Sequence, residues 1–308
     1  AKAVVPHEPH RQQGAALVPT SGLSLPRRAA RAAGKGALAT YAALALIPVS
    51  LTVAAGYHRA VGHPAQVSRA HLFFAWTGYL SLPLSAVLLA SVPLVYLFDW
   101  DKRIFLDTIQ RTWAQFTCYP FFSPELVGLH HVAALGDEPV IFVSNHKSWA
   151  DIYSLLWLPF PIRFISKEEI FYIPVAGWSM RLIGHIGVKR KNKESRSAVV
   201  DTCVQKLRDG VSIFIFAEGT RAHDEYVQPF KRGAFLIAES SGAKIVPISI
   251  SGTGKLMPPN CGETWLESGD DAPVRIVVHK PIDPADCDGA ADLQARTRAA
   301  IVSGISAF

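Results

Sequence analysis

The sequence predicts an α/β domain, a mostly parallel sheet flanked by helices, preceded by an N-terminal hydrophobic two-helix membrane hairpin. Three observations carry that prediction. From residue 140 onward, short β-branched and aromatic runs alternate with amphipathic stretches, the pattern of helices laid over a largely parallel sheet. Ahead of them lie two uncharged stretches, residues 36–57 and 72–98, each long enough to supply the roughly 20 helical residues that cross a bilayer core. Ahead of those lies a basic segment, residues 1–35, with no apolar period.

These features divide the chain into 1–35, 36–98 and 99–308. The first segment is rich in Ala, Arg, Pro, Gly and Ser and carries Glu8 as its one acidic residue, so it reads as a disordered tail or as part of an organelle transit peptide. In the second, Pro48, Pro83 and Pro93 suit two spanning helices or a bent hairpin that enters one leaflet and returns. Both stay open. Either way an even number of passes returns the chain to the side of its tail, and Arg27, Arg28, Arg31 and Lys35 mark the side from which insertion begins.

The whole chain has 308 residues, 49% of them hydrophobic, and a net charge of +6. That charge is not spread evenly. Residues 1–35 hold six Lys and Arg against one acid, residues 36–98 hold only Arg59 and Arg69, and residues 99–308 come to −1. The basicity therefore flanks apolar stretches, which fits a membrane surface and argues against nucleic acid. Cys118, Cys203, Cys261 and Cys287 are scattered and form no C-x-x-C pair, which argues against a disulfide framework and a zinc site.

In the third segment the strand candidates are 140–144, 162–166, 184–188, 211–217, 244–250 and 274–279. Helices are expected at 105–116, 151–158, 194–209 and 231–241. Val199, Val200, Cys203, Val204 and Leu207 form one apolar stripe on the third of these. His130-His131 reads as the approach to a strand, without an acidic partner at a telling interval. No metal is expected.

Residues 139–151 read P-V-I-F-V-S-N-H-K-S-W-A-D, a buried strand that delivers Asn145 and His146 to its end. Ser144, Asn145 and Ser148 can cap the helix that follows, which sets His146 beside backbone N–H groups at a helix start. His146 and Asp151 lie five residues apart, about 140° around an ideal helix, so a turn has to bring them together. If it does, Asp151 holds one ring nitrogen and leaves the other as a base. Ser148 is expected to cap rather than attack, because no G-x-S-x-G surrounds it. A second strand runs into Glu218-Gly219-Thr220-Arg221, with Phe230-Lys231-Arg232-Gly233 downstream. Gly252-Thr253-Gly254-Lys255 lacks the first glycine and the final hydroxyl of a phosphate loop and implies no nucleotide hydrolysis.

Four of these blocks, in this order, resemble the glycerolipid acyltransferases. They are N-H-x-S-x-x-D at 145–151; Lys167 with Pro174, Gly177 and Arg190; E-G-T-R at 218–221 with F-K-x-G; and V-P-I at 246–248. The likeness spans roughly residues 99–282. It is nearest to the plastid members, through residues 144–155, 164–167, Gly252 to Lys255 and His279-Lys280-Pro281.

The resemblance implies a membrane-bound enzyme that moves a fatty acyl group from acyl-CoA or acyl carrier protein to the sn-2 hydroxyl of lysophosphatidic acid, giving phosphatidic acid. It implies His146 and Asp151 as catalytic residues, and Glu218, Gly219, Thr220, Arg221, Lys167 and Arg190 around the acceptor, with Arg221 on its phosphate. No cofactor is implied. A plastid membrane is the expected location, with endoplasmic reticulum or bacterial inner membrane as alternatives. The family usually has proline where this chain has Ala217, which puts the geometry of that loop in question. Acylation of glycerol 3-phosphate or of other lysophospholipids, and a non-enzymatic lipid-binding membrane protein, remain the alternatives.

Overall fold

The computed structural model describes residues 69–98, 103–173, 176–189, 193–221, 226–258 and 273–306. The first apolar run, 36–57, the basic tail, Arg190 and Cys261 lie outside the described residues.

The second apolar run forms one helix, α1 (Arg69–Phe98), continuous through Pro83 and Pro93. Thr77, Ser81 and Ser85 each return a hydroxyl to the carbonyl four residues back, so these polar side chains are satisfied within the helix. Its 30 residues extend about 45 Å at a rise of 1.5 Å each. Only 17% of its most apolar window is buried, and the helix is long and apolar enough to cross a membrane. Its inner side meets α2 (Ile104–Cys118): Phe73 packs edge-on against Phe121 and Tyr153, and the Trp76 indole donates to the Phe116 carbonyl.

After α2 come β1 (Glu125–Val127), α3 (His130–Ala133), β2 (Ile141–Ser144), α4 (Ala150–Leu155) and β3 (Arg163–Lys167). A 3₁₀ turn (Glu168–Tyr172) leads to α5 (Ala176–Ile183), β4 (Ile186–Val188), α6 (Lys193–Arg208) and β5 (Ile213–Phe216). The chain closes with α7 (Gly233–Ser241), β6 (Ile245–Ser251), α8 (Thr253–Leu256), β7 (Arg275–Val278) and α9 (Gly289–Ser306).

The seven strands form one sheet in the order β1-β7-β6-β2-β5-β3-β4. All neighbours are parallel except β6 and β7. The expected sheet and its six strands are present; β1 is an addition. His130-His131 opens α3 rather than approaching a strand, because β1 precedes it and Gly128, at φ 80°, turns the chain.

Alternation along the strands makes two cores. Ile141, Val143, Ile213 and Ile245 face α6, α7 and α9, where the predicted stripe contributes Cys203, Val204 and Leu207. Val140, Phe142, Phe214 and Val246 face the other side with Ala114 of α2 and Leu155 of α4.

Buried polar contacts lock α2 to this second side. Arg163 on β3 donates to Asp107 at 2.8 Å, both almost fully buried, and Arg111 lies 3.0 Å from the same carboxylate. His185 accepts from the Phe164 backbone N–H through Nδ1, which leaves Nε2–H for Gln110 at 3.2 Å. Burial and the nearby Arg163 push the His185 pKa down to about 3, so the ring is neutral. Arg103, at φ 51°, donates to the Arg181 and Leu182 carbonyls at the end of α5.

Candidate active site

Because β6, β2, β5 and β3 are parallel neighbours, their C-terminal ends open on one edge of the sheet, where functional groups collect in such folds. Asn145 fixes that edge. Its side chain donates to the Ile250 carbonyl and accepts from the Ile250 N–H, both at 2.9 Å, tying the end of β2 to β6. The amide is thus spent on the sheet and caps no helix.

The chain then turns and presents His146. Nδ1 lies 2.7 Å from Asp151 Oδ2, and the same oxygen accepts the backbone N–H groups of Lys147 at 2.7 Å and Ser148 at 2.9 Å. Asp151 is 0% exposed. Five residues of ideal helix would have separated the two side chains; the carboxylate at the start of α4 gathers the preceding loop instead. A carboxylate acceptor places the imidazole proton on Nδ1, so Nε2 carries the lone pair. The ring lies flat on Phe216, with centroids 3.9 Å apart and planes at 18°.

Glu218 supports the turn from the neighbouring strand. Oε1 accepts the His146 N–H at 2.8 Å and Oε2 the Gln228 N–H at 3.0 Å. Burial raises its pKa, while those two hydrogen bonds and nearby Lys147 and His146 oppose the rise. The backbone N–H groups of His146, Lys147 and Ser148 are therefore committed to carboxylates. They are not the open donors at a helix start that the sequence suggested.

Ser148 is equally committed. Its hydroxyl donates to the Met257 carbonyl at 2.7 Å and accepts from the Ala150 N–H at 3.1 Å, and the side chain is fully buried. It holds the loop and is not placed to attack.

Gly219 takes φ 72°, which any side chain would strain. The turn closes when the Lys231 N–H donates to the Ala217 carbonyl at 2.7 Å, so the F-K-x-G segment shapes the loop without the family's proline. Thr220 is exposed beyond it. Arg221 lies over Trp149, its guanidinium carbon 5.0 Å from the ring centre. Its Nη1 is buried with no hydrogen-bond partner among the described residues. A permanently charged donor in that state is suited to an anionic ligand. Lys147 reaches across to the Tyr226 carbonyl. Lys167 is exposed at the end of β3, two strands from β2 on the same edge.

The structure thus joins His146, Asp151 and Glu218 directly and places Arg221 and Lys167 on their edge of the sheet. Trp149 was missed. Its neighbours in sequence say nothing of a guanidinium that arrives from another strand.

Fold and site define a member of the acyltransferase family, to which the chain belongs: residues 123–251 match the Acyltransferase family model. It is 40% identical over 227 residues to a 1-acyl-sn-glycerol-3-phosphate acyltransferase of Chlamydomonas reinhardtii, covering 72% of this chain and 67% of that one. It is 41% identical over 205 residues to a chloroplastic 1-acyl-sn-glycerol-3-phosphate acyltransferase of Brassica napus, covering 67% of this chain and 58% of that one. The chain thus spans about three fifths to two thirds of the length of these relatives. The crystal structure of the 1-acyl-sn-glycerophosphate acyltransferase of Thermotoga maritima shares the fold, with a TM-score of 0.52 at 22% identity over 74% of this chain and 97% of that one.

Proposed function

We propose that the protein is a membrane-bound 1-acylglycerol-3-phosphate acyltransferase that transfers a fatty acyl group from a thioester, acyl-CoA or acyl carrier protein, to the sn-2 hydroxyl of lysophosphatidic acid. The observation that carries this reading is the Nδ1···Asp151 contact at 2.7 Å, which leaves Nε2 of His146 as a base, on the same sheet edge as a buried arginine nitrogen that has no partner among the described residues.

In this mechanism Arg221 binds the phosphate of the acceptor, and Lys167 and Arg190 add charge around it. Nε2 of His146 removes the hydroxyl proton as the oxygen attacks the thioester carbonyl. Asp151 stabilises the imidazolium that forms, and His146 then returns the proton from Nε2 to the leaving thiolate as the thioester bond breaks. Positioned base catalysis of this kind contributes typically about 10²–10⁴-fold. Glu218 positions the histidine through its backbone and takes no proton. No acyl-enzyme is required.

The exposed apolar residues of α1, among them Leu89, Leu97 and Phe98, support membrane attachment, with residues 36–98 forming the hairpin and 99–308 the acyltransferase domain. The chloroplastic relative of Brassica napus supports a plastid location. Purified protein is assayed with acyl-CoA and acyl carrier protein thioesters crossed with lysophosphatidic acid and glycerol 3-phosphate. Phosphatidic acid formed from lysophosphatidic acid is the expected product. Turnover of glycerol 3-phosphate alone would overturn the acceptor assignment.

A further inference from the structure

Two motifs take no part in that reaction: His130-His131 and His279-Lys280-Pro281. The fold brings them together. They line one groove of about 480 Å³ at the β1–β7 edge of the sheet, closed on its third side by α9 through Ala300 and Ser303.

Two glycines create this convergence. A Cβ at Gly128 would lie 2.1 Å from the Val278 carbonyl oxygen, so β1 ends hard against β7 and carries the two histidines to the start of His279-Lys280. A Cβ at Gly304 of α9 would lie 2.8 Å from His279 Nε2 and 2.5 Å from Ser249 Oγ, so the helix closes directly over that pair. The Ser249 hydroxyl donates its one proton to the Ile301 carbonyl at 2.7 Å. It therefore accepts from His279 Nε2–H, also at 2.7 Å, and Nδ1 is the ring nitrogen left to take up a proton.

Among the described residues the groove is lined by three imidazoles and an ammonium and by no carboxylate. The groups repel one another as cations: burial, then His130 and Lys280, depress the His131 pKa, and burial, then His131, depress that of His279. The His130 and His131 rings lie 4.0 Å apart. Among the described residues no group of three or more His, Cys, Asp and Glu is arranged to hold a metal ion. An anion seated among the imidazoles and the ammonium would relieve that repulsion, and a phosphate offers acceptor oxygens to several donors at once.

We propose that this groove binds the phosphate group of a second ligand, at a site separate from His146. The two are well apart in the sheet: β7 lies two strands from β2, and the groove runs toward Ile282, which pairs with Ile245 where β6 begins, whereas His146 follows the end of β2. A soluble phosphate ester and a lipid phosphate headgroup share this chemistry.

Histidine carbethoxylation, read by peptide mass spectrometry on the full-length protein, tests the site near the ordinary histidine pKa of about 6.5. Inorganic phosphate should slow modification of His130 and His131, and in Lys280→Gln the protecting concentration should rise about 10-fold, the loss of one charged hydrogen bond. Glycerol 3-phosphate protects at similar concentrations if the source is soluble; vesicles of phosphatidic acid protect where phosphatidylcholine vesicles do not if it is a headgroup. The readout does not depend on turnover, so it stands or falls apart from the acyltransferase assignment. Absence of protection by phosphate, or equal protection in Lys280→Gln, would overturn the proposal, as would protection by phosphatidylcholine vesicles as strong as that by phosphatidic acid vesicles.

Discussion

The backbone N–H of His146 donates to the side chain of Glu218 at 2.8 Å, so the histidine block and the E-G-T-R block are joined by a hydrogen bond across two neighbouring strands. In the proposed mechanism Glu218 acts through His146, as a positioning residue. Glu218→Gln keeps one acceptor oxygen but turns an amide against the His146 or Gln228 N–H. We expect kcat to fall about 10-fold or more, with acceptor KM little changed and the circular dichroism of the wild type. A change confined to KM would show that Glu218 serves binding instead.

The same side chain sets a pH dependence of stability. Burial lifts its pKa above the ordinary 4.5, so the folded protein holds this proton to higher pH than the unfolded chain. This contribution is therefore most favourable in acid and declines as pH rises from about the unfolded value through the folded one. The difference in unfolding free energy between wild type and Glu218→Gln, measured by denaturant titration, should carry that slope. A difference independent of pH would contradict it.

His146→Ala should remove most turnover, about 10²–10⁴-fold, while thermal unfolding stays close to wild type. Asp151→Asn should lose nearly as much activity and also some stability, since Asp151 Oδ2 holds the Lys147 and Ser148 N–H groups as well as the ring. A folded His146→Ala protein with ordinary kcat would remove the base from the mechanism.

Arg221→Ala should raise the acceptor KM about 10- to 150-fold, the loss of one charged hydrogen bond of roughly 1.5–3 kcal/mol, and leave the donor KM alone. Trp149→Ala, which removes only the face the guanidinium rests on, should raise it about 2- to 5-fold, as expected for a partly exposed cation–π contact. If Trp149→Ala raised the donor KM and not the acceptor KM, the ring would belong to the thioester side of the site.

His185 predicts a second pH effect, opposite in sign to that of Glu218. Its pKa is pushed down to about 3, so the unfolded chain binds the proton first. The stability it contributes is complete above the ordinary value of about 6.5 and is lost progressively as pH falls toward the folded value. In His185→Gln the acid limb of the stability profile should be shallower, measured by thermal melts across that range. An unchanged limb would place the acid sensitivity elsewhere.

Attachment through α1 and the preceding apolar run should survive high salt and alkaline carbonate. The intact protein is expected in the membrane pellet after both washes. Release by salt alone would leave only basic residues to hold it to lipid.

Much of this was legible in the sequence, because buried strands in a parallel sheet are short apolar runs with polar ends. Val140 to Val143 and Val211 to Ala217 announce both the strand and the residue that follows it. What stayed hidden depends on distant chain. Glu125–Val127 has too few residues for a period and exists as a strand only because Arg275–Val278 pairs with it. Asn145 looked like a cap; Ile250, more than a hundred residues away, turns it into a sheet clamp. The N–H groups of His146, Lys147 and Ser148 looked open, but Glu218 takes up the first and Asp151 the other two. Local pattern located the chemistry, and long-range pairing decided which polar groups were left to perform it.

Arg103 holds the end of α5, Arg163 holds Asp107, and Gln110 holds His185, so α2 is fastened to the catalytic sheet at three places. Trp76 and Phe73 fasten α1 to α2 and to the segments beside it. Such an assembly transmits tilt. If α1 leans, the sheet leans with it, and Nε2 of His146 is carried along with both.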